Sequence, residues 1–369
     1  MKKIFVICFI FILFGVPIST LIIPDITYSE NENKYLAQKP NISVQNIISG
    51  KFMKDTSQYL NDQLAFRQQW LDSKTKIEKT MGFEEINGVY LGADNYLIEK
   101  WISQDIDERI FLSNVKSIND FAKKLNYPVN LIIVPTVGHI YPNKLPKYAP
   151  YVDQNKLFNL LKNKVEYIRY LDIQETLLKH SDEKLYYRTD HHWTTTGAFY
   201  AYQAFKNSKN EDVNKSDYHI IQVSNTFKGS MDSKVLNDDE VSDLIEIYNK
   251  DRNLSISYNF GKNISYSLYD YESLKNKDQY QFFLKGNHPE LTIKTTVNND
   301  KHLLIFKDSY ANAFIPFLVD DYETIHVIDP RYYHGNLSDY MKNNNINECM
   351  FLYNLKNFVS DDSIQTVLE

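Results

Sequence analysis

The sequence predicts a three-layer α/β sandwich with a β-rich insertion, preceded by an N-terminal membrane anchor. Uninterrupted apolar runs, "PVNLIIVP" and later "HLLIF", "IHVID" and "CMFLYNL", suit strands buried on both faces of a parallel sheet. Stretches of helical periodicity alternate with them. Between Asp217 and about Val297 short alternating pieces take over, which is the pattern of antiparallel strands.

The anchor comes first. Lys2 and Lys3 precede Ile4 to Ile23, twenty residues without a charge and long enough to span a hydrocarbon core as a helix. The flanking lysines hold the N-terminus in the cytoplasm, so the rest of the chain is exported. A cleaved signal peptide is the alternative, although no small-x-small site follows the run. Cys8 sits too early for a lipoprotein cleavage box. Residues 1–23 are thus read as anchor, 24–50 as a polar stalk and 51–369 as the main domain.

Within 51–369 the elements follow in order. Phe52, Tyr59, Leu60, Leu64, Phe66, Trp70 and Ile77 have broadly helical spacing. "INGVYLGADNYLIEK" holds two glycine turns between short apolar pieces, a hairpin. Ile110, Val115, Ile118, Phe121, Ala122 and Leu125 share one helical face, and "PVNLIIVP" follows as a buried strand. A helix over Leu157–Val165 leads to the strand "YIRYLDI". Thr194 or a neighbouring threonine caps the helix "TTGAFYAYQAF". The insertion, about 217–297, contributes "LSISYNF", "ISYSLYDY", "YQFFL" and "LTIKTTV" as strands.

Composition excludes several functions. The 369 residues carry a net charge of −6 without a basic run, which argues against nucleic acid as a partner. The two cysteines, Cys8 and Cys349, lie in the anchor and near the C-terminus and do not suggest a disulfide. No Cys/His spacing reads as a zinc site, and nothing points to a cofactor. The 28 tyrosines would suit a carbohydrate surface if exposed; a compositional habit replacing Leu and Trp is the plainer reading.

The chemistry is concentrated in two stretches. "YYRTDHHWTTTG" places Asp190, His191, His192 and Trp193 in succession. In an extended segment residues two apart point the same way, so Asp190 would hold one nitrogen of His192 and leave the other free. His191 would point elsewhere, and Trp193 would wall the site against water. "HLLIFKDSYANAF" runs a strand into Lys307-Asp308-Ser309 and then into a helix. Ligands bind beyond the carboxyl ends of strands in open α/β sheets, and backbone N–H groups at a helix start stabilise negative charge. Alone, an Asp-x-His caps turns and an Asp-Ser before a helix is an N-cap. Together in one exported α/β chain they point to a Ser309 nucleophile, a His192 base and an orienting Asp190.

These stretches, with "LIIVPTVGHIYPNKLP" upstream and "LNDQLAFRQQW" and "INGVYLGADNYLIE" nearer the N-terminus, resemble the DHHW protein family. That family is related to the SGNH-hydrolase-like domains of the alginate O-acetylation proteins. The resemblance implies an SGNH-hydrolase-like sandwich with rearranged strand order, because here the Asp-His pair precedes the serine. It implies Ser309, His192 and Asp190 as the catalytic residues. The activity it implies is acetyl transfer to, or removal from, a cell-envelope polysaccharide, with a membrane-bound O-acyltransferase as acetyl donor partner. Two departures stand out. Lys307 replaces the glycine of the usual Gly-Asp-Ser, and no Gly-x-Asn-Asp block supplies an oxyanion asparagine. Gly286, Asn287 and Gly229 are candidates for that role, though each glycine also reads as a turn residue. Arg331 follows a strand end and would hold an anionic or hydroxyl-rich substrate, or form a salt bridge. A rival reading is a catalytically idle polysaccharide-binding or scaffold protein of an envelope assembly; a wall-assembly factor acting through partners is a third.

Overall fold

The computed structural model describes residues 2–29, 31–236 and 241–369. The chain divides into two units, Met1–Gly88 with Asp232–Glu240, and Val89–Met231 with Val241–Glu369.

In the first unit Lys2–Ile22 forms one helix, long and apolar enough to cross a membrane. A two-residue hairpin pairs Tyr28–Ser29 with Lys34–Tyr35. The helix Val44–Ile48 follows, capped by Ser43, whose Oγ accepts from the Asn46 N–H at 3.1 Å. The periodic stretch beyond it is divided between two helices, Lys51–Asp62 and Arg67–Thr80. They are broken at Leu64-Ala65-Phe66, where Phe66 has φ +61°. The buried Asp62 carboxylate closes the unit by accepting from Lys34 Nζ (3.0 Å) and the Ala37 N–H (2.9 Å).

The second unit is built on an eight-stranded sheet: β1 (Val129–Val134), β2 (Arg169–Leu171), β3 (Ser255–Tyr258), β4 (Asn263–Ser265), β5 (Glu290–Lys294), β6 (His302–Lys307), β7 (Thr324–Ile328) and β8 (Glu348–Asn354). Their spatial order is β4-β3-β5-β7-β6-β8-β1-β2. The five strands from β7 to β2 are parallel. The other three pair antiparallel and extend the β7 edge.

Alternation along the strands feeds two cores, because successive Cβ atoms point to opposite faces. Leu303, Ile305 and Leu352 join Phe199 and Phe314 on one side. Leu304, Phe306 and Phe351 join Phe111 and Phe158 on the other. The helices Thr195–Ser208 and Ala311–Leu318 therefore pack on one face, and Glu108–Lys123 and Gln154–Lys164 on the opposite face. The apolar runs that predicted a doubly covered sheet are these strands.

The expected hairpin over 86–100 contains Val89–Leu91 paired antiparallel with Leu97–Glu99. The insertion is only partly strand. His219–Phe227 pairs with Asp243–Asn249 as a separate ribbon, and "LSISYNF" and "LTIKTTV" supply β3 and β5. "YQFFL" and the end of "ISYSLYDY" instead form tight turns, Tyr271–Lys275 and Gln279–Phe282. Asp270 ends the extended run: its carboxylate accepts from Ser273 Oγ at 2.8 Å and its carbonyl from the Ser273 N–H at 3.1 Å, a local bond that competes with strand pairing. The aromatics there pack on each other, with the Tyr269 and Phe282 rings stacked at 5.0 Å.

Candidate active site

Neighbouring parallel strands deliver polar groups to one edge of the sheet. Asp329 follows β7, Asp308 and Ser309 follow β6, and Asn354 ends β8. Asp308 is fully buried and fixes the turn. One carboxylate oxygen accepts from the Tyr310 N–H at 2.9 Å; the other accepts from the Asn354 N–H and Asn357 Nδ2, both at 2.8 Å. Burial pushes this carboxyl above the usual range, against those hydrogen bonds. With its neighbours so held, Ser309 stands between the strand and the helix Ala311–Leu318. The Ser309 N–H has no acceptor among the described residues.

Opposite lies the histidine loop. The Thr194 N–H donates to the Leu185 carbonyl (2.8 Å) and the Tyr187 N–H to that of His192 (3.2 Å), which closes 185–194 into a tight loop. The segment is bent rather than extended, and the Asp-x-His spacing works through the bend. Asp190 Oδ1 accepts from both the His192 N–H (2.9 Å) and His192 Nδ1 (2.5 Å). Asp190 Oδ2 accepts from the Ser230 N–H (2.7 Å) and Ser230 Oγ (2.9 Å). Four donors thus meet the four acceptor positions of one carboxylate. Asp190, His191 and His192 each bring a potential metal-ligand atom within 4.8 Å of the others, but a metal there would displace these bonds.

His192 Nε2 lies 2.7 Å from Ser309 Oγ, across 117 positions of sequence. The carboxylate only accepts, so Nδ1 carries the ring proton and Nε2 offers its lone pair to the serine hydroxyl. Burial and the neighbouring His191 pull the His192 pKa down to about 4 against the attraction of Asp190, so the ring is neutral at pH 7. Burial alone would raise the Asp190 carboxyl; the two imidazoles and its hydrogen bonds hold it well below its ordinary value. Tyr280 lies flat on the His192 ring, centroids 3.7 Å apart and planes within 7°. Its hydroxyl donates to the Ser309 carbonyl at 3.2 Å.

Ser309 and His192 open on a cleft of about 500 Å³ that is also lined by Gly286, Asn287, Asn312 and Arg331. Asn287 is held by its oxygen: Oδ1 accepts from Lys307 Nζ (2.5 Å) and Asn312 Nδ2 (3.2 Å). Its amide nitrogen has no acceptor among the described residues. Lys307 does not crowd the turn. Its side chain is buried, 3.5 Å from Asp329, which in turn grips Arg331 at 2.8 and 2.6 Å. Burial brings the Lys307 pKa down to about 8, against the pull of Asp329.

Other candidates sit differently from the expectation. Trp193 is fully buried behind the site, with its indole N–H donating to the Tyr310 carbonyl at 2.8 Å; Tyr280 is the wall that faces the cleft. Gly229 gives its N–H to Thr189 Oγ1 (3.1 Å), and a Cβ there would lie 2.2 Å from Asp190 Cβ, so its place in the fold is one of close approach. Gly286 occupies a turn at φ +85° and gives its N–H to the Phe283 carbonyl. His191 does not point away: its ring packs on His192 at 3.8 Å and its Nδ1 meets Ser230 Oγ at 2.7 Å. Sequence reading missed Ser230 and Tyr280, which reach the site from the start of the short helix Ser230–Val235 and from the tight turn Gln279–Phe282 without a motif of their own.

The site thus belongs to the class in which a strand-end serine meets an Asp-oriented histidine. The family model described as DHHW protein matches residues 153–328, a stretch that contains Asp190, His192 and Ser309, and the likeness to that family read from the sequence is shown. A solved structure of a DHHW family protein from Eubacterium siraeum is similar at 25% identity and a TM-score of 0.66, covering 76% of this chain and 96% of that one. The structure of Bacillus cereus PatB1 with a sulfonyl adduct is similar at 20% identity and a TM-score of 0.62, covering 74% and 98%. The O-acetyltransferase domain of Pseudomonas putida AlgJ aligns at 16% identity and a TM-score of 0.46 over 74% and 93%, a likeness too distant to bear weight. Comparison with curated proteins gives no significant match.

Proposed function

We propose that the protein is an extracytoplasmic O-acetyltransferase or acetylesterase acting on a cell-envelope polysaccharide through Ser309, His192 and Asp190. The observation that carries this reading is the continuous chain Asp190–His192–Ser309, at 2.5 and 2.7 Å, opening on a polar cleft. Acetyl as the group transferred rests on the resemblance to the DHHW family. Counted from β6, the parallel strands run 2-1-3-4-5, the order of a doubly wound sheet. This supports an SGNH-like sandwich whose chain has been permuted to begin elsewhere.

The residues act as follows. Ser309 Oγ passes its proton to His192 Nε2 as it bonds to the acetyl carbon. The carbonyl oxygen takes up the negative charge, facing the Ser309 N–H and the Asn287 amide. The ester bond breaks, and the departing alcohol leaves with the proton from His192. A glycan hydroxyl then gives its proton to His192, attacks the acetyl-serine and releases Ser309 with its proton restored. Water in place of the glycan makes the reaction a hydrolysis. Lys307 is a positioning residue in this scheme. By fixing the oxygen of Asn287 it turns the amide N–H groups away from itself, in the place where the usual motif has glycine. Arg331, neutralised by Asp329, offers its remaining N–H groups to hydroxyl-rich substrate. Lys2–Ile22 holds the protein in the membrane, where an O-acyltransferase would supply the acetyl group; a secreted form after cleavage is the alternative.

The test is acetyl capture. Incubation with p-nitrophenyl acetate, followed by intact-mass and peptide analysis, is expected to place one acetyl group on Ser309 and to release p-nitrophenol. Equal background release from the parent, Ser309→Ala and His192→Ala would overturn the enzyme and leave the scaffold reading. Sulfonyl fluoride treatment is expected to block acetylation by occupying the same oxygen.

A further inference from the structure

We propose that the segment from Val44 to Ile77 lies on the outer surface of the same bilayer that the N-terminal helix crosses, with the loop Leu64-Ala65-Phe66 inserted among the lipid chains. The proposal rests on reading Lys2–Ile22 as an uncleaved anchor. Its own support lies within the first unit.

The loop is fastened to the anchor. Thr20 Oγ1 accepts from the Ala65 N–H at 3.0 Å while donating to the Val16 carbonyl at 2.9 Å. The ring of Phe66 packs beside that of Phe11, centroids 6.4 Å apart. Phe11 lies over Gly15, where a Cβ would meet the ring at 2.6 Å. Gly15 is seven residues before Ile22, about 10 Å at the helical rise, so Phe66 reaches roughly that depth below the end of the anchor. Interfacial helices bury their apolar faces to about 5–10 Å.

The helices on either side of the loop carry exposed apolar side chains at helical spacing. Val44 and Ile48 are four apart, Met53 and Leu60 seven apart, and Trp70 and Ile77 seven apart; all are exposed. Isolated exposed apolar residues need no account, but a series along three consecutive helices does. Among residues 41–83 the exposed charged side chains are Lys51, Lys54, Lys74 and Lys76, Lys74 being paired with Glu78 at 3.6 Å, while the four acids are buried or half-buried. That charge favours an anionic lipid surface over a partner with a basic face. Trp70 lies in the first turn of the second long helix, and its indole N–H is already bonded to the Ala65 carbonyl at 3.2 Å, so the ring can enter lipid without leaving a polar atom unpaired.

Trp70 is also the reporter. Trp101 and Trp193 are 1% and 0% exposed, against 42% for Trp70. The full chain would be reconstituted into phosphatidylcholine–phosphatidylglycerol vesicles containing lipids brominated at shallow or deep acyl positions. The difference between parent and Trp70→Phe emission isolates Trp70. We expect that component to be blue-shifted and to fall by roughly half or more, with shallow bromines the stronger quencher, as for an interfacial indole. Phe66→Asp should cut this quenching while the protein stays in the vesicle fraction. An unquenched Trp70 in a full-length chain overturns the proposal alone, whether its emission is that of a water-exposed indole or of one covered by protein. The mass of the mature chain separates the other failure: loss of the first twenty-odd residues overturns the anchor, and this proposal with it.

Discussion

At the residue scale, the site is defined by which atoms lack a spare partner. Every acceptor position of Asp190 is taken, and the neutral His192 ring directs one lone pair at Ser309. Ser309→Ala and His192→Ala should each lower kcat/KM for p-nitrophenyl acetate by about 10³-fold or more, and Asp190→Asn by about 10²–10⁴-fold through loss of the tautomer. Ser230→Ala removes one donor to Asp190 and the partner of His191; a loss of about tenfold in kcat with KM unchanged is expected for a group acting through another. The pH profile should be flat through neutrality with an acid limb near pH 4, where His192 gains its proton and ceases to be a base. Above about pH 8 Lys307 loses its charge, and kcat should decline. In Lys307→Met kcat should be lower throughout and that basic limb absent; a limb that persists would show that another group causes it.

The next scale is the element. The Asp-x-His spacing was legible because it brings both side chains together, but the reason lies in a bent loop rather than an extended one. Nothing local in "TDHHW" announces Ser230, which follows the ribbon strand His219–Phe227 and meets Asp190 only in the fold. Gly229 could be noticed as a glycine; only the fold shows that it lets the chain pass against Asp190. Gly229→Ala should therefore cost about 1–3 kcal/mol of stability, as overpacking does, and lower activity with it; thermal denaturation and kcat on the same sample would check both. The aromatic pieces of the insertion misled for a related reason. Their alternation resembles a strand, but Asp270 and Ser273 satisfy one another locally and the rings stack into a cluster.

At the scale of the whole molecule, the parallel sheet was readable because strands covered on both faces have no polar alternation to confuse them. The edge that β5, β3 and β4 add could not be placed from the sequence, since antiparallel edge strands carry no signal of the neighbour they choose. Burial of His192 also bears on the stability of the entire fold. Its pKa is depressed in the folded state, so the unfolded chain binds the proton first as pH falls. The stabilisation is complete above the unfolded value of about 6.5 and is lost as pH drops toward 4, on the order of 3 kcal/mol for this one ring. His326, likewise pulled to about 4 by burial, adds in the same direction. Chemical denaturation between pH 7 and 4.5 should show falling stability, with the slope reduced but not abolished in His192→Ala.

The strand order carries a consequence for biogenesis. β8 follows both β1 and β6 along the chain, yet it sits between them, and its terminal Asn354 braces the turn that carries Ser309. Until β8 has been made, the two halves of the sheet have nothing to join them. A stop codon ahead of Glu348 would therefore leave no working remnant, and the protein stays silent until that strand has arrived.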